Sequence, residues 1–255
     1  MPPGILYLVA TPIGNLGDLT HRAVETLKSV DWIACEDTRH SKILLDHYGV
    51  KKALFSYFDF SEKKKAPEMI GRILAGENAA LISDAGTPGI ADPGFRLIQE
   101  AIRQNIRLES LPGPSAFLAA LVVSGLPVNR FVFEGFAPLK EAAKKKWLES
   151  LKKEAVRTII YYESPHRLLR TLGTMKEVFG DVPVVVAREL TKKFEEVFRA
   201  SLSGQIGHFS NKKVLGEFVV LFNLSERLTG GASATASPPR ELILRRRGQA
   251  PTRDP

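Results

Sequence analysis

The sequence predicts an α/β protein in two halves. The first half reads as a mostly parallel sheet flanked by helices, the second as a mixed sheet with helices. Two observations predict this. From Ile5 to Leu111, short apolar runs alternate with segments whose apolar residues recur at three-to-four spacing, the pattern of strand–helix–strand units. From about Leu126 the last strand-like runs follow one another without a full-length helix between them, which calls for partly antiparallel pairing.

In the first half the strand candidates are "ILYLVAT" (5–11), "WIACE" (32–36), "ALFSY" (53–57), "AALIS" (79–83) and "RLESL" (107–111). Between them lie the helical segments "LTHRAVETLKSV", "SKILLDHY", "APEMIGRILAG" and "FRLIQEAIRQN", with Gly49 and Gly76 where helices would be stopped. In the second half the strands are "RFVFEGF" (130–136), "TIIYYE" (158–163), "VPVVVARE" (182–189), "EEVFRASL" (195–202) and "EFVVLFN" (217–223). The lysine-rich helix "KEAAKKKWLESLKKE" and the helix "PHRLLRTLGTMKEVFG" separate the first three. The expected organisation is an N-terminal domain at 1–125, a C-terminal domain at 126–224, and a disordered basic tail at 225–255 rich in Gly, Ala, Ser, Pro and Arg.

Composition narrows the function. An apolar fraction of 44% and a charged fraction of 25% over 255 residues suit a globular protein with a sizeable core. No apolar run is long enough to span a bilayer, and "MPPGILYLVATP" has no signal-peptide pattern, so no membrane partner and a cytoplasmic location are expected. The lone cysteine, Cys35, rules out a disulfide framework and reads as a buried thiol. The histidines at 21, 40, 47, 166 and 208 form no HExxH pattern, and no metal site is expected. The net charge is +8; the tail has six arginines against two glutamates and one aspartate, which leaves +5 in the body. A basic body favours an anionic partner such as nucleic acid.

Ligands of open α/β sheets bind outside the carboxyl ends of the strands. Four loops would converge on that rim: "TPIGNLGD" (11–18), "EDTRH" (36–40), "DAGTPGIADPG" (84–94) and "PGPSA" (112–116). They match neither the Walker pattern nor a GxGxxG fingerprint. Asp18, the Glu36–Asp37 pair, Asp84 and Asp92 would repel a diphosphate, so a ligand with cationic or hydroxyl groups, such as a sulfonium, an amine or a ribose, suits the rim.

These residues also carry a resemblance. "VATPIGNLGDLT", "ACEDTR", "SDAGTPGIADPG", "LPGPSA", "YYESPHR" and "ARELTK", in order between about Ile5 and Asn223, resemble the motifs of the ribosomal RNA small subunit methyltransferase I family. That family is part of the tetrapyrrole-methylase-like class of S-adenosylmethionine-dependent methyltransferases. The resemblance implies a two-domain fold with the cofactor in the interdomain cleft, a homodimer, and 2'-O-methylation of a cytidine in the decoding region of small-subunit (16S) rRNA. By similarity Asp84, Thr87, Ser115 and Ala116 contact S-adenosylmethionine, with Leu8, Pro12 and Ile90 as further contacts. Ser115 also reads as an ordinary helix N-cap. Where relatives often continue into a helical C-terminal extension, this chain has its arginine- and proline-containing tail, a departure that bears on substrate docking.

Methyl transfer to a neutral 2'-hydroxyl gains from a general base. Candidates at the rim are Glu36 and Lys192 first, then Asp37, Glu163 and Glu189, with a desolvated Lys192 able to lose its proton. Each has a structural alternative: Asp37 as a helix cap, Glu163 paired with Arg167, Glu189 paired with Arg188 or Lys192. Arg39 and Arg167 could grip phosphates, and Lys144, Lys145 and Lys146 supply positive surface on a helix whose Trp147, Leu148 and Leu151 face the core. Two other readings keep part of this pattern. One is a methyltransferase of the same fold acting on a tetrapyrrole or other small molecule; the other is a catalytically silent RNA-binding assembly factor.

Overall fold

The structure, a computed structural model, describes residues 2–225. Apart from Ser225, the tail expected at 225–255 lies outside the described residues.

The first sheet contains β1 (Ile5–Val9), β2 (Trp32–Cys35), β3 (Ala53–Ser56), β4 (Ala79–Ile82) and β5 (Arg107–Leu111), all parallel, in the order β3-β2-β4-β1-β5. Helices α1 (His21–Ser29), α2 (Thr38–His47), α3 (Asp59–Leu74) and α4 (Phe95–Arg103) make the crossovers. Every residue of β2 and of β4 is buried, as expected of central strands covered on both faces. One core lies on each face of this sheet: Trp32, Tyr57, Ile73 and Leu97 on one, Leu27, Ile33, Leu45 and Ile82 on the other. The chain order reverses about β1 and β4, so the loops after these two strands flank the crevice where the sheet can admit a ligand. The expected elements are all present. Helix α3 begins at Asp59 instead of near Ala66, with Pro67 in its interior.

The second sheet contains β6 (Phe131–Phe136), β7 (Thr158–Glu163), β8 (Pro183–Arg188), β9 (Glu196–Ser201) and β10 (Phe218–Asn223), in the order β6-β7-β10-β8-β9. Only β6 and β7 are parallel; the other three pairings are antiparallel. Helices α6 (Glu141–Ser150) and α7 (Leu168–Phe179) fall where the sequence places them. A helix that the sequence did not predict, α8 (Leu202–Ser210), joins β9 to β10. Gly204 and Gly207 weaken its intrinsic propensity. It forms because Leu202, Gln205 and Phe209 are buried, with Gln205 Nε2 donating to Val184 O at 2.8 Å and Phe198 O at 2.9 Å, and because Ser201 caps it.

Helix α5 (Ala116–Ser124) joins the halves. It is apolar all round, and Ala120 and Leu121 on its inner face pack with Ile13 against Ile160, Val185, Val219 and Leu221 of the second sheet. At its C-terminus the Arg199 guanidinium donates to Ser124 O at 3.1 Å and also to Val123 O, where a cation suits the helix dipole. Thus α5 follows the first sheet in sequence and packs on the second in space.

Candidate active site

Two chambers open between the sheets at the predicted rim. The first, of about 250 Å3, is mostly apolar. Ile13, Thr87, Ile90, Ser115 and Ala116 line one side of it, and Tyr162, Glu163, Leu190, Glu217 and Val219 the other. The second, of about 380 Å3, is lined by Pro12, Gly14, His40, Asp84 and Lys192 among others. Ile13, Ala85 and Glu217 line both, so the two chambers share a wall.

The glycine-rich loop 84–94 is clipped to the end of β1. Thr11 and Gly86 exchange backbone hydrogen bonds at 2.8 and 3.0 Å, and Thr11 Oγ1 donates to Ser83 O at 3.0 Å. Thr87 Oγ1 donates to Pro114 O at 3.3 Å, tying the loop to "PGPSA". Ala91 adopts a left-handed φ of 61°, a conformation disfavoured for a residue with a Cβ and one that collects at functional sites. Ser115 occupies the N-cap position of α5 but its hydroxyl makes no capping bond. The hydroxyl and the first N–H groups of α5 line the apolar chamber as donors, a ready place for a carboxylate.

Among the described residues no lysine, arginine or histidine lines the apolar chamber, while Asp92, Glu163 and Glu217 do. This lining fits S-adenosylmethionine: the Asp92 and Glu217 carboxylates for the sulfonium and ammonium groups, apolar walls for the adenosine, and the α5 N-terminus for the carboxylate. Tyr162 stays neutral, because burial pushes its phenol up to about 12.

Of the expected cofactor contacts, Thr87, Ile90, Ser115 and Ala116 line the apolar chamber, and Pro12 and Asp84 line the polar one. Leu8 lines neither. It pairs with Leu81 in the sheet and packs partly buried against the core, because its position two residues before Ala10 leaves it inside the strand.

The expected catalytic residues separate further. Glu36, Asp37 and Glu189 line neither chamber. Asp37 is the α2 N-cap: Oδ1 accepts the Arg39 N–H at 2.8 Å and Oδ2 the Arg39 guanidinium at 2.8 Å. That side-chain bond, first among the causes, holds the carboxyl at about 2, far too acidic for a base at neutral pH. Glu163 lines the apolar chamber but is buried, accepting from Thr171 Oγ1 at 2.5 Å and Ser164 N at 2.7 Å and pairing with Arg167 at 3.0 Å. It shapes the β7–α7 turn, and its proton-accepting oxygens are occupied.

Lys192 corrects the expectation most directly. Burial disfavours its charge, but hydrogen bonds to Glu217 at 2.8 Å and Glu189 at 2.9 Å outweigh burial and raise its pKa above the ordinary lysine value. The two carboxylates hold it as a cation in this geometry. Glu189 is the reciprocal case: burial raises its pKa, and the bonds from Lys192 and from Glu217 N at 3.0 Å lower it to a greater extent. The fit is close. A Cβ on Gly216, at φ +99°, would lie 2.5 Å from the Glu189 side chain.

The expected phosphate contacts divide likewise. Arg39 is exposed beside Asp37, whereas Arg167 is turned inward, with Nη1 donating to Ala137 O at 3.2 Å in addition to its ion pair. Lys145 and Lys146 are exposed on α6. Lys144 is fully buried, with Nζ 2.9 Å from Glu141 Oε1. It stands three and four residues before Trp147 and Leu148, so it shares their inward face.

Sequence reasoning missed Ile13, Tyr162 and Glu217. The signal for Glu217 was available: in an antiparallel strand it is the amino end that meets the rim. Phe218 pairs with both Glu163 and Arg188, the last residues of β7 and β8, which brings Glu217 beside them.

The family of tetrapyrrole (corrin/porphyrin) methylases matches residues 5–204. A ribosomal RNA small subunit methyltransferase I from Synechocystis is 49% identical over 219 residues, covering 86% of this chain and 78% of its own. Its counterpart from Thermotoga maritima is 46% identical over 223 residues, covering 88% of this chain and 100% of its own, so a relative exists with no segment beyond the matched part. The Haemophilus influenzae protein of the same name is 52% identical over 195 residues, covering 76% and 69%. Among solved structures, diphthine synthase superposes with a TM-score of 0.64 at 13% identity over 86% of this chain and 90% of its own. A cobalamin-biosynthetic cobalt precorrin-4 methyltransferase superposes with a TM-score of 0.60 at 18% identity over 87% and 95%. At these identities the likeness is one of fold. Methylation in this family draws on S-adenosylmethionine, which agrees with the lining of the apolar chamber. The chain belongs to the tetrapyrrole (corrin/porphyrin) methylases and, within them, to the ribosomal RNA small subunit methyltransferase I group.

Proposed function

We propose that this protein transfers a methyl group from S-adenosylmethionine to small-subunit ribosomal RNA, and that the acceptor is the 2'-hydroxyl of a cytidine in the decoding region. The observation that carries the reading is the shared wall. A chamber suited to the cofactor abuts a polar one lined by His40, Asp84, Lys192 and Glu217, donors and acceptors suited to the hydroxyls of a ribose. When bound, S-adenosylmethionine would supply a sulfonium methyl group for the acceptor oxygen. The chain's own part is to orient: the clipped loop 84–94 and the α5 N-terminus fix the donor, and Lys192, Asp84 and His40 surround the acceptor.

Exposed Lys145, Lys146 and Arg39 would meet the RNA backbone outside the chambers. A homodimer accords with the outward face of α5, where Leu118, Val122 and Val123 are exposed. The reading places the protein in the cytoplasm, with the small subunit as its partner. A cobalt precorrin-4 methyltransferase shares the fold, but no described residue of the polar chamber favours that second reading.

The test is methyl transfer from labelled cofactor to small subunits lacking the modification, with tetrapyrrole precursors in parallel, followed by nucleoside mass spectrometry. The expected product is 2'-O-methylcytidine. Label found only in a small molecule, or only in a base, would refute the proposed acceptor.

A further inference from the structure

We propose that His40 is the general base that takes the proton of the acceptor hydroxyl. The inference rests on the methyl-transfer reading above and gives His40, placed there only beside the acceptor, a chemical role.

A base must reach the acceptor and have a free lone pair at neutral pH. Among the described residues, four ionisable side chains line the polar chamber: His40, Asp84, Lys192 and Glu217. Lys192 is a cation held by two carboxylates, and Glu217 is one of its partners at 2.8 Å. Asp84 Oδ1 accepts the Asp37 N–H at 3.2 Å, which joins the two rim loops. The His40 imidazole is exposed on the first turn of α2 and makes no hydrogen bond, ion pair or ring contact with any other described residue. Imidazole is also the one side-chain type whose charge ordinarily changes between about pH 5 and 8, which suits proton abstraction at neutral pH.

The ionisable groups that line the chamber with it are Asp84 from the loop after β4, Lys192 from the β8–β9 turn and Glu217, the residue before β10, while Asp37, the N-cap of α2, and Arg39 are its neighbours in the chain. The acceptor oxygen bonds to the methyl carbon as the carbon–sulfur bond breaks. The electron pair of that bond stays on sulfur and neutralises its charge, while the hydroxyl proton passes to the His40 ring and then to solvent.

The test uses the full chain with His40→Gln and His40→Asn, small subunits lacking the modification, and labelled S-adenosylmethionine. Wild type should show a kcat that depends on pH. Both variants should lose about 100-fold or more in kcat and lose that dependence, with cofactor affinity in equilibrium binding unchanged. Variants that keep the wild-type kcat, or that lose activity while keeping the pH profile, overturn the assignment of His40. Wild type that transfers no methyl to RNA instead overturns the reading beneath it, and the two failures are distinguishable.

Discussion

The stem of Lys192 occupies the space where residue 14 would carry a side chain. A Cβ on Gly14, whose φ is +150°, would lie 2.3 Å from Lys192 Cγ and 2.7 Å from Cε. The loop after β1 and the turn after β8 are therefore fitted together atom against atom. Gly14→Ala should destabilise the fold by about 1–3 kcal/mol and release Lys192 from Glu189 and Glu217. The same change in a Lys192→Ala background should cost less, with a coupling of about 0.5–3 kcal/mol in a double-mutant cycle read by urea unfolding. Equal costs in both backgrounds would refute the contact.

Asp37 links stability to pH. Its carboxyl is held at about 2 in the folded protein against an ordinary value of 3.8, first by the Arg39 side-chain bond. A depressed carboxyl stabilises the fold above its unfolded value and loses that contribution as pH falls through the folded value. Asp37→Asn should therefore melt below wild type at neutral pH, and the gap should close between the ordinary value of 3.8 and about 2. A gap that is constant over that range would show that the cap acts without its charge.

Glu163 should matter to stability ahead of chemistry. Glu163→Gln replaces one acceptor oxygen by a donor facing the Thr171 hydroxyl, the Ser164 N–H and the Arg167 guanidinium. The loss should be about 1.5–3 kcal/mol in urea unfolding, larger than for Thr171→Val at about 1 kcal/mol. A Glu163→Gln protein of full stability with abolished turnover would make Glu163 a candidate base again.

The lysines of α6 should part company in RNA binding. Lys145→Ala with Lys146→Ala should weaken binding to the small subunit and flatten its salt dependence by about one unit of slope for each phosphate left without its lysine. Lys144→Met should leave affinity alone and alter only the melting temperature, because Lys144 is buried against Glu141. Filter binding across a salt series separates the two.

The first sheet was legible because each strand and its following helix are neighbours in sequence and each obeys its own period. The second sheet was less so. Helix α8 has two glycines and depends on Gln205 reaching Val184 and Phe198, contacts that no local pattern encodes. Glu217 escaped because looking at strand carboxyl ends presupposes parallel strands, and β10 runs the other way. Lys144 was hidden in a run of like charges, although its distance from Leu148 already placed it inward. The charge on Lys192 was beyond reach, since it depends on two carboxylates that approach from different segments of the chain.

Helix α5 ends one residue before Gly125, yet its inner face is part of the second sheet's core, joined there by Ile13 from the loop after β1. Severing the chain after residue 125 would strip that sheet of its cover and leave Ala120 and Leu121 in water. On this packing the protein should melt in one cooperative transition. Selection acting on the seam would weigh on the stability of the whole molecule, so changes that tune the cleft have little room to do so without cost elsewhere.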